Sequence, residues 1–226
     1  MSELVYTLIR KKSRKRVAIA VLPCGSVQVL APIRASVSRI KGFLRDKSDW
    51  IRKQQLVCHA REQAPILTGN SGDMLLYFGR EITLQVLPGV KRSVGLVGSE
   101  LVVGMREPDP EKVKKMVLKW YRELAQEIIE DRVLIWSAHL SKKPKQVRLK
   151  TMTSRWGSCS ILGNLNFNWK LIMAPLDVLD YVVVHELSHL VHHDHSRKFW
   201  DFVALLMPDF KRHVVWLREN GYRLAL

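Results

Sequence analysis

Cysteine is scarce in this 226-residue chain. Cys24, Cys58 and Cys159 stand far apart, so they form neither a disulfide framework nor a paired-cysteine zinc knuckle. No apolar run approaches the roughly 18–20 residues of a membrane-spanning helix, which excludes an integral membrane protein. Residues 1–16 place their short apolar stretch before their charges, the reverse of a secretory signal. Internal repeats and low-complexity segments are absent as well. Together these absences predict a reduced, soluble, cytoplasmic protein with no membrane partner.

Acidic residues are also in deficit: 21 Asp and Glu face 37 Lys and Arg, leaving a formal charge of +16. The apolar share of 47% is that of a globular chain, too high for intrinsic disorder. The length suits one large domain or two small ones. Residues 1–110 hold 18 basic and 9 acidic side chains, and residues 111–226 hold 19 and 12, so neither half monopolises the excess. Two dense clusters stand out, Arg10, Lys11, Lys12, Arg14, Lys15, Arg16 and Lys142, Lys143, Lys145, Arg148, Lys150. A nucleic-acid partner would explain them. So would a solvated basic surface, and no recognisable nucleic-acid motif decides between the two.

Short apolar runs at 16–21 and 27–30 flank Pro23-Cys24-Gly25-Ser26, the pattern of a β-hairpin. Apolar spacing predicts one amphipathic helix over about 38–61. Strand-like runs follow at 75–78, 82–87 and 101–103. Asp109-Pro110-Glu111 then opens a long helix reaching towards Trp136. Strand patterns return at 147–149, 155–160 and 165–169. Asp177 is the expected cap of a helix running to about Val191, and Ser196 of another over 197–206. A last helix runs from about Asp209 to Asn220-Gly221. This irregular order favours an α+β fold over a doubly wound sheet. The division is expected between a β-rich region, 1–108, with one helix, and a catalytic region, 109–226.

The helix after Asp177 contains His185-Glu186-Leu187-Ser188-His189, an H-E-x-x-H motif. Residues i and i+4 of a helix lie one above the other, so two imidazoles can reach one metal ion. Glu186 beside them can take a proton from a water that the metal activates. Val183, Val184, Leu187, Leu190 and Val191 form a separate apolar stripe at 100° per residue. Catalytic zinc usually has three protein ligands and one open position. His192 and His193 suit the helix end, near its negative pole. His195 lies in the turn before Ser196, where the chain can fold back, and is favoured as third ligand. The competing arrangement, a Glu from a later helix, has only Glu219 to draw on. The spacing H-E-x-x-H-x5-H also matches metzincins, but His192 replaces their Gly and Met207 lies in a helical pattern.

Arg155-Trp156-Gly157-Ser158-Cys159, Asn166-Phe167-Asn168-Trp169-Lys170-Leu171 and Ala174-Pro175 add to this motif. So do 179–189 and Asp194-His195-Ser196-Arg197-Lys198-Phe199-Trp200. Across these segments the chain resembles the YgjP-like metal-dependent hydrolases, with Asp194 where members commonly have Asn. The resemblance implies a zincin-like unit, with His185, His189 and His195 as metal ligands and Glu186 as the catalytic residue. It also implies kinship with SprT-like and WLM proteases. Family members are mostly described as metallopeptidases, and some as nucleoside triphosphate pyrophosphatases.

Residues 155–160 suit a sheet edge that holds an extended peptide, with Arg155 facing a negative group and Trp156 beside it as substrate-binding residues. They equally suit a structural hairpin in which Trp156 is core and Gly157 permits close packing. Cys159, Phe199, Trp200 and Trp216 read as packing residues. The expectation is a zinc-dependent hydrolase, with nickel or another divalent transition metal as the alternative ion. Its zincin-like half would pack the H-E-x-x-H helix on a small sheet. A metallopeptidase acting on peptide or protein is favoured. The alternatives are a metal-dependent nucleotide pyrophosphatase and a non-catalytic, zinc-containing nucleic-acid-binding protein.

Overall fold

The structure, a computed structural model, describes residues 4–22, 24–62 and 66–226. The chain forms two compact units, Met1–Ala64 and Pro65–Leu226. In the first, β1 (Tyr6–Lys11), β2 (Ala18–Val21) and β3 (Val27–Pro32) form a sheet of order β1-β3-β2. β3 runs parallel to β1 and antiparallel to β2, the expected hairpin. Of its turn, Pro23 lies outside the described residues, and Gly25 takes φ 77°, a left-handed value that Gly adopts at no steric cost. Alternate residues of β3, namely Val27, Val29 and Ala31, are buried, as a half-covered strand requires.

Two helices complete this unit, α1 (Val37–Asp46) and α2 (Ser48–Glu62), in place of the single helix expected. The chain breaks at Lys47 (φ −104°, ψ 8°), whose N–H donates to the Phe43 and Arg45 carbonyls. Neither Gly nor Pro marks this break. Ile40 and Leu44 before it and Ile51 after it enter one cluster with Val27, Val29 and Ala31.

The second unit begins with β4 (Met74–Tyr77), β5 (Arg80–Pro88), β6 (Ser93–Val97) and β7 (Glu100–Met105), in spatial order β4-β5-β7-β6. β6 escaped the sequence reading because Gly95 interrupts a short, half-buried run. The long helix α3 (Pro110–Ser137) follows. Asp109 caps it through Oδ1, which accepts from the Lys112 N–H at 2.8 Å, and Pro110 occupies its first turn. Val113, Val117, Tyr121, Ala125, Ile129 and Val133 recur every four residues and are all buried.

A second sheet of order β8-β10-β9 comprises β8 (Gln146–Lys150), β9 (Gly157–Cys159) and β10 (Asn164–Asn168). β9, shorter than the expected 155–160, is an edge strand. A 3₁₀ turn, Trp169–Met173, leads to α4 (Leu176–Ser188), α5 (Arg197–Leu206) and α6 (Phe210–Asn220). One hydrophobic cluster joins Leu75, Leu84 and Leu101 to α3, to Leu165 and Phe167, and to Val183, Val184 and Leu187. That shared core is why the compact units meet at 64/65, whereas the sequence suggests a division at 108/109. The fold is α+β. No helix among the described residues is long and apolar enough to cross a membrane.

Candidate metal centre

α4 is fixed at its start by the turn between β4 and β5. The backbone N–H groups of Phe78 and Gly79 donate to the carbonyls of Ile172 (3.0 Å) and Met173 (2.9 Å). Gly79 has φ 76°, and a Cβ there would lie 2.7 Å from the Pro175 ring. The helix then begins at Leu176 with Pro175 in the cap position, so Asp177 belongs to the first turn and is not the cap. Asp177 Oδ1 instead accepts from the Val178 N–H at 2.9 Å. Farther along, Asp180 accepts two bonds from Arg132 of α3, Nε to Oδ1 and Nη2 to Oδ2, both 2.6 Å. This fork raises the Arg132 pKa. α4 is buried on nearly every side and not along one stripe, although Val191 beyond its end is exposed.

The helix stops at Ser188, earlier than expected, with His189 as its cap residue. Leu190 and Val191 donate back to Leu187 (3.0 Å) and Ser188 (3.1 Å), tightening the last turn. The chain can then reverse within a few residues, as the turn before Ser196 predicts. Ser196 stands at the cap position of α5 but makes no side-chain cap bond.

This reversal brings His185, His189 and His195 together, with one ring nitrogen from each lying within 4.8 Å of the others. His185 Nε2 and His195 Nε2 are 3.2 Å apart. The outward nitrogens have other neighbours. His189 Nδ1 is 3.1 Å from the His192 carbonyl, which can only accept, so Nδ1 carries the proton and Nε2 is free. His185 Nδ1 is 3.5 Å from the Tyr181 hydroxyl. Phe199, fully buried on α5, stacks on His189 and meets His185 and His195 edge-on, at centroid distances of 4.5–5.0 Å. Burial, then the neighbouring histidines, push the His185 pKa down to about 3. Burial lowers that of His189 as well. Both rings therefore stay neutral near pH 7 and offer lone pairs. Three converging imidazoles of this kind fit a single transition-metal ion.

Glu186 is 5% exposed. Burial raises its pKa to about 8 against the opposing charge of Arg155. A Cβ placed on Gly157 would stand 2.6 Å from both Cγ and Oε1 of Glu186. The carboxylate thus lies against bare backbone of the edge strand β9. Arg155 is exposed just before that strand. Trp156 is half-buried, and its ring lies against Gly221, where a Cβ would come within 3.0 Å of Cζ2. Its main-chain carbonyl accepts from Asn168 at 2.8 Å. Cys159, on the same strand, has its pKa raised to about 11 by burial and by Glu186, so it remains a thiol. Glu219 pairs with Arg218 at 3.3 Å and is not among the clustered residues.

Three further groups border the histidines: Tyr181, the His192 carbonyl and Phe199, the last a packing residue as its sequence context predicts. Tyr181 was recoverable from the sequence, since it lies four residues before His185 on one helix. Phe199 carried no signal beyond an ordinary core residue.

No curated protein sequence matches the chain. Among solved structures it is similar to the metallopeptidase zymogen abylysin of Pyrococcus abyssi. Identity is 20% over 40% of this chain and 93% of that one, with a TM-score of 0.36. It is also similar to the metallopeptidase zymogen jannalysin of Methanocaldococcus jannaschii, at 16% identity over 43% and 96% of the two chains and a TM-score of 0.34. The family model described as YgjP-like, metallopeptidase domain, matches residues 15–220, and the chain belongs to that family.

Proposed function

We propose that the chain is a peptidase that binds one zinc ion through His185, His189 and His195 and uses Glu186 as general base. The observation that carries this reading is the convergence of three ring nitrogens within 4.8 Å, flanked on the same helix by a carboxylate screened from solvent. A zinc ion held there would polarise the scissile carbonyl and make a water more acidic.

The remaining work falls to side chains. Burial pushes the Glu186 carboxyl up to about 8, and a cation held by the three histidines would favour its ionised form, so that it accepts the proton of the attacking water and delivers it to the leaving amine. Gly157 keeps the backbone of β9 close to that carboxylate. The edge strand offers unpaired main-chain groups to an extended peptide, and Arg155 offers a positive charge beside it. Phe199 keeps water from the far side of the imidazoles.

Glu186→Gln preserves volume and hydrogen-bonding reach but cannot accept a proton at neutral pH. We expect it to retain its metal and fold and to lose peptidase activity by at least ~10²-fold. Casein and peptides are to be assayed beside nucleoside triphosphates, with metal content measured on the same samples. A fully active variant would remove Glu186 from the chemistry. Turnover confined to triphosphates would remove the peptide.

A further inference from the structure

The division at Ala64–Pro65 exposes a charge asymmetry that halving the chain conceals. Residues 1–64 hold 14 basic and 4 acidic side chains, a net of +10, whereas the remaining 162 residues hold 23 and 17, a net of +6. From Leu4 to Arg45 there is no Asp or Glu at all. The topology then gathers the cations. β1 and β3 are parallel and finish together, Lys11 beside Pro32, and β2 starts at the same end, Ala18 beside Leu30. Both connections, 12–17 and 33–36, therefore emerge at one end of the sheet. Arg10, near the end of β1, ties that strand to the second of these connections, its Nη1 donating to the carbonyls of Pro32 (3.2 Å), Ile33 (2.7 Å) and Ala35 (2.8 Å). Lys11, Lys12, Lys15, Arg16 and Arg34 are all exposed there. Asp49, one of the few acidic residues of this unit, pairs with Arg52 on α2 and lies outside the stretch from Leu4 to Arg45.

We infer that this end of the β1-β3-β2 sheet is a docking surface for the phosphodiester backbone of nucleic acid, an inference that shares no residue with the metal centre and does not depend on the peptidase reading. Concentrated positive charge without carboxylates matches the partner of highest linear charge density, and guanidinium forks match phosphate. A bilayer is a poorer match. Ile40 and Leu44, the apolar face of α1, are spent on the unit's own core, and among the described residues near these connections the large exposed apolar ones are Ile33 and Val37.

The test uses the full chain and a fluorescein-labelled 20-nucleotide duplex of arbitrary sequence, followed by anisotropy. Binding at 50 mM salt should weaken about 10²-fold by 200 mM, as expected for roughly four phosphate contacts. The quadruple variant Lys11→Gln, Lys12→Gln, Lys15→Gln, Arg16→Gln should bind at least tenfold more weakly at 50 mM and show a salt slope shallower by about 3. The two double variants, Lys11→Gln with Lys12→Gln and Lys15→Gln with Arg16→Gln, should each account for part of that loss, so the result does not rest on one protein's folding. Lys142→Gln, Lys143→Gln, Lys145→Gln should stay within twofold of the parent. Absence of binding at 50 mM, loss concentrated in the Lys142–Lys145 variant, or equal binding to phosphatidylserine vesicles or polyglutamate at matched charge would each overturn the assignment.

Discussion

At Gly157 a single methyl group would reach the centre of the site. The strand carrying it is held by β10 and the helix carrying Glu186 is buried, so neither can retreat cheaply. In Gly157→Ala the carboxylate must move, and displacements of an ångström commonly cost ~10²-fold in rate. We expect at least a tenfold loss of activity with metal stoichiometry intact, read by metal analysis and peptide turnover on one preparation. Unchanged turnover would mean that the carboxylate has room to spare. The H-E-x-x-H spacing was legible because the helix itself enforces it. The contact between positions 157 and 186 was not, since it depends on how a sheet edge meets a helix far along the chain. The same burial sets a pH dependence in metal-free protein. Glu186 is raised from 4.5 to about 8, so its contribution to stability is complete below pH 4.5 and is lost as pH rises through 8. His185 is depressed from 6.5 to about 3, so its contribution is present above pH 6.5 and is lost as pH falls towards 3. Of these two groups, Glu186 alone acts between pH 6.5 and 8. Chelator-treated protein should therefore melt at a lower temperature at pH 8 than at pH 6.5, and Glu186→Gln should flatten that part of the profile. An identical slope in the variant would refute the link.

Most of α4's position is owed to groups outside its motif. The Arg132–Asp180 fork is largely screened from solvent, with side-chain exposures of 23% and 10%. Arg132→Met leaves Asp180 charged and unpaired in the core, and should cost about 2–4 kcal/mol, somewhat below the full penalty for a wholly buried pair. Denaturant midpoints check this, and Arg132→Met with Asp180→Leu should recover much of the loss, since a well-packed apolar pair can replace a buried ion pair. If the double variant is no better than the single, the fork does more than neutralise charge. The sequence announced α3 and α4 through a cap and a motif, but misjudged where α4 begins and ends. Pro175 takes the cap position that Asp177 suggested, and the last turn closes at Ser188 through tightened bonds that no residue type advertises. The break at Lys47 is of the same kind, set by the packing of α1 and α2 on β3 and not by a helix-breaking residue.

Each compact unit has its own hydrophobic cluster, one built on Val27, Val29, Ile40 and Ile51, the other on α3, α4 and both remaining sheets. Unfolding should therefore depart from two-state behaviour and show two calorimetric transitions. Zinc at a hundred times its dissociation constant should stabilise only the transition of the unit containing the histidines, by about 2.7 kcal/mol. A single transition that moves as a whole with zinc would mean that the units melt together. The sequence suggests a division at 108/109, whereas the compact units divide at 64/65, because strands at 74–105 read as a β-rich neighbour until their shared core with α3 is seen. Engineering of the chain inherits one consequence from the turn between β4 and β5. Hairpin tips are normally where extra residues are best tolerated. This one is spliced by two backbone hydrogen bonds to the segment that launches α4, and Gly79 leaves no space beside Pro175. An epitope or fluorophore grafted there would pull on the histidines from a distance. The turn at Gly98, between β6 and β7, has nothing within 4 Å of an added Cβ and is the better place to extend the protein.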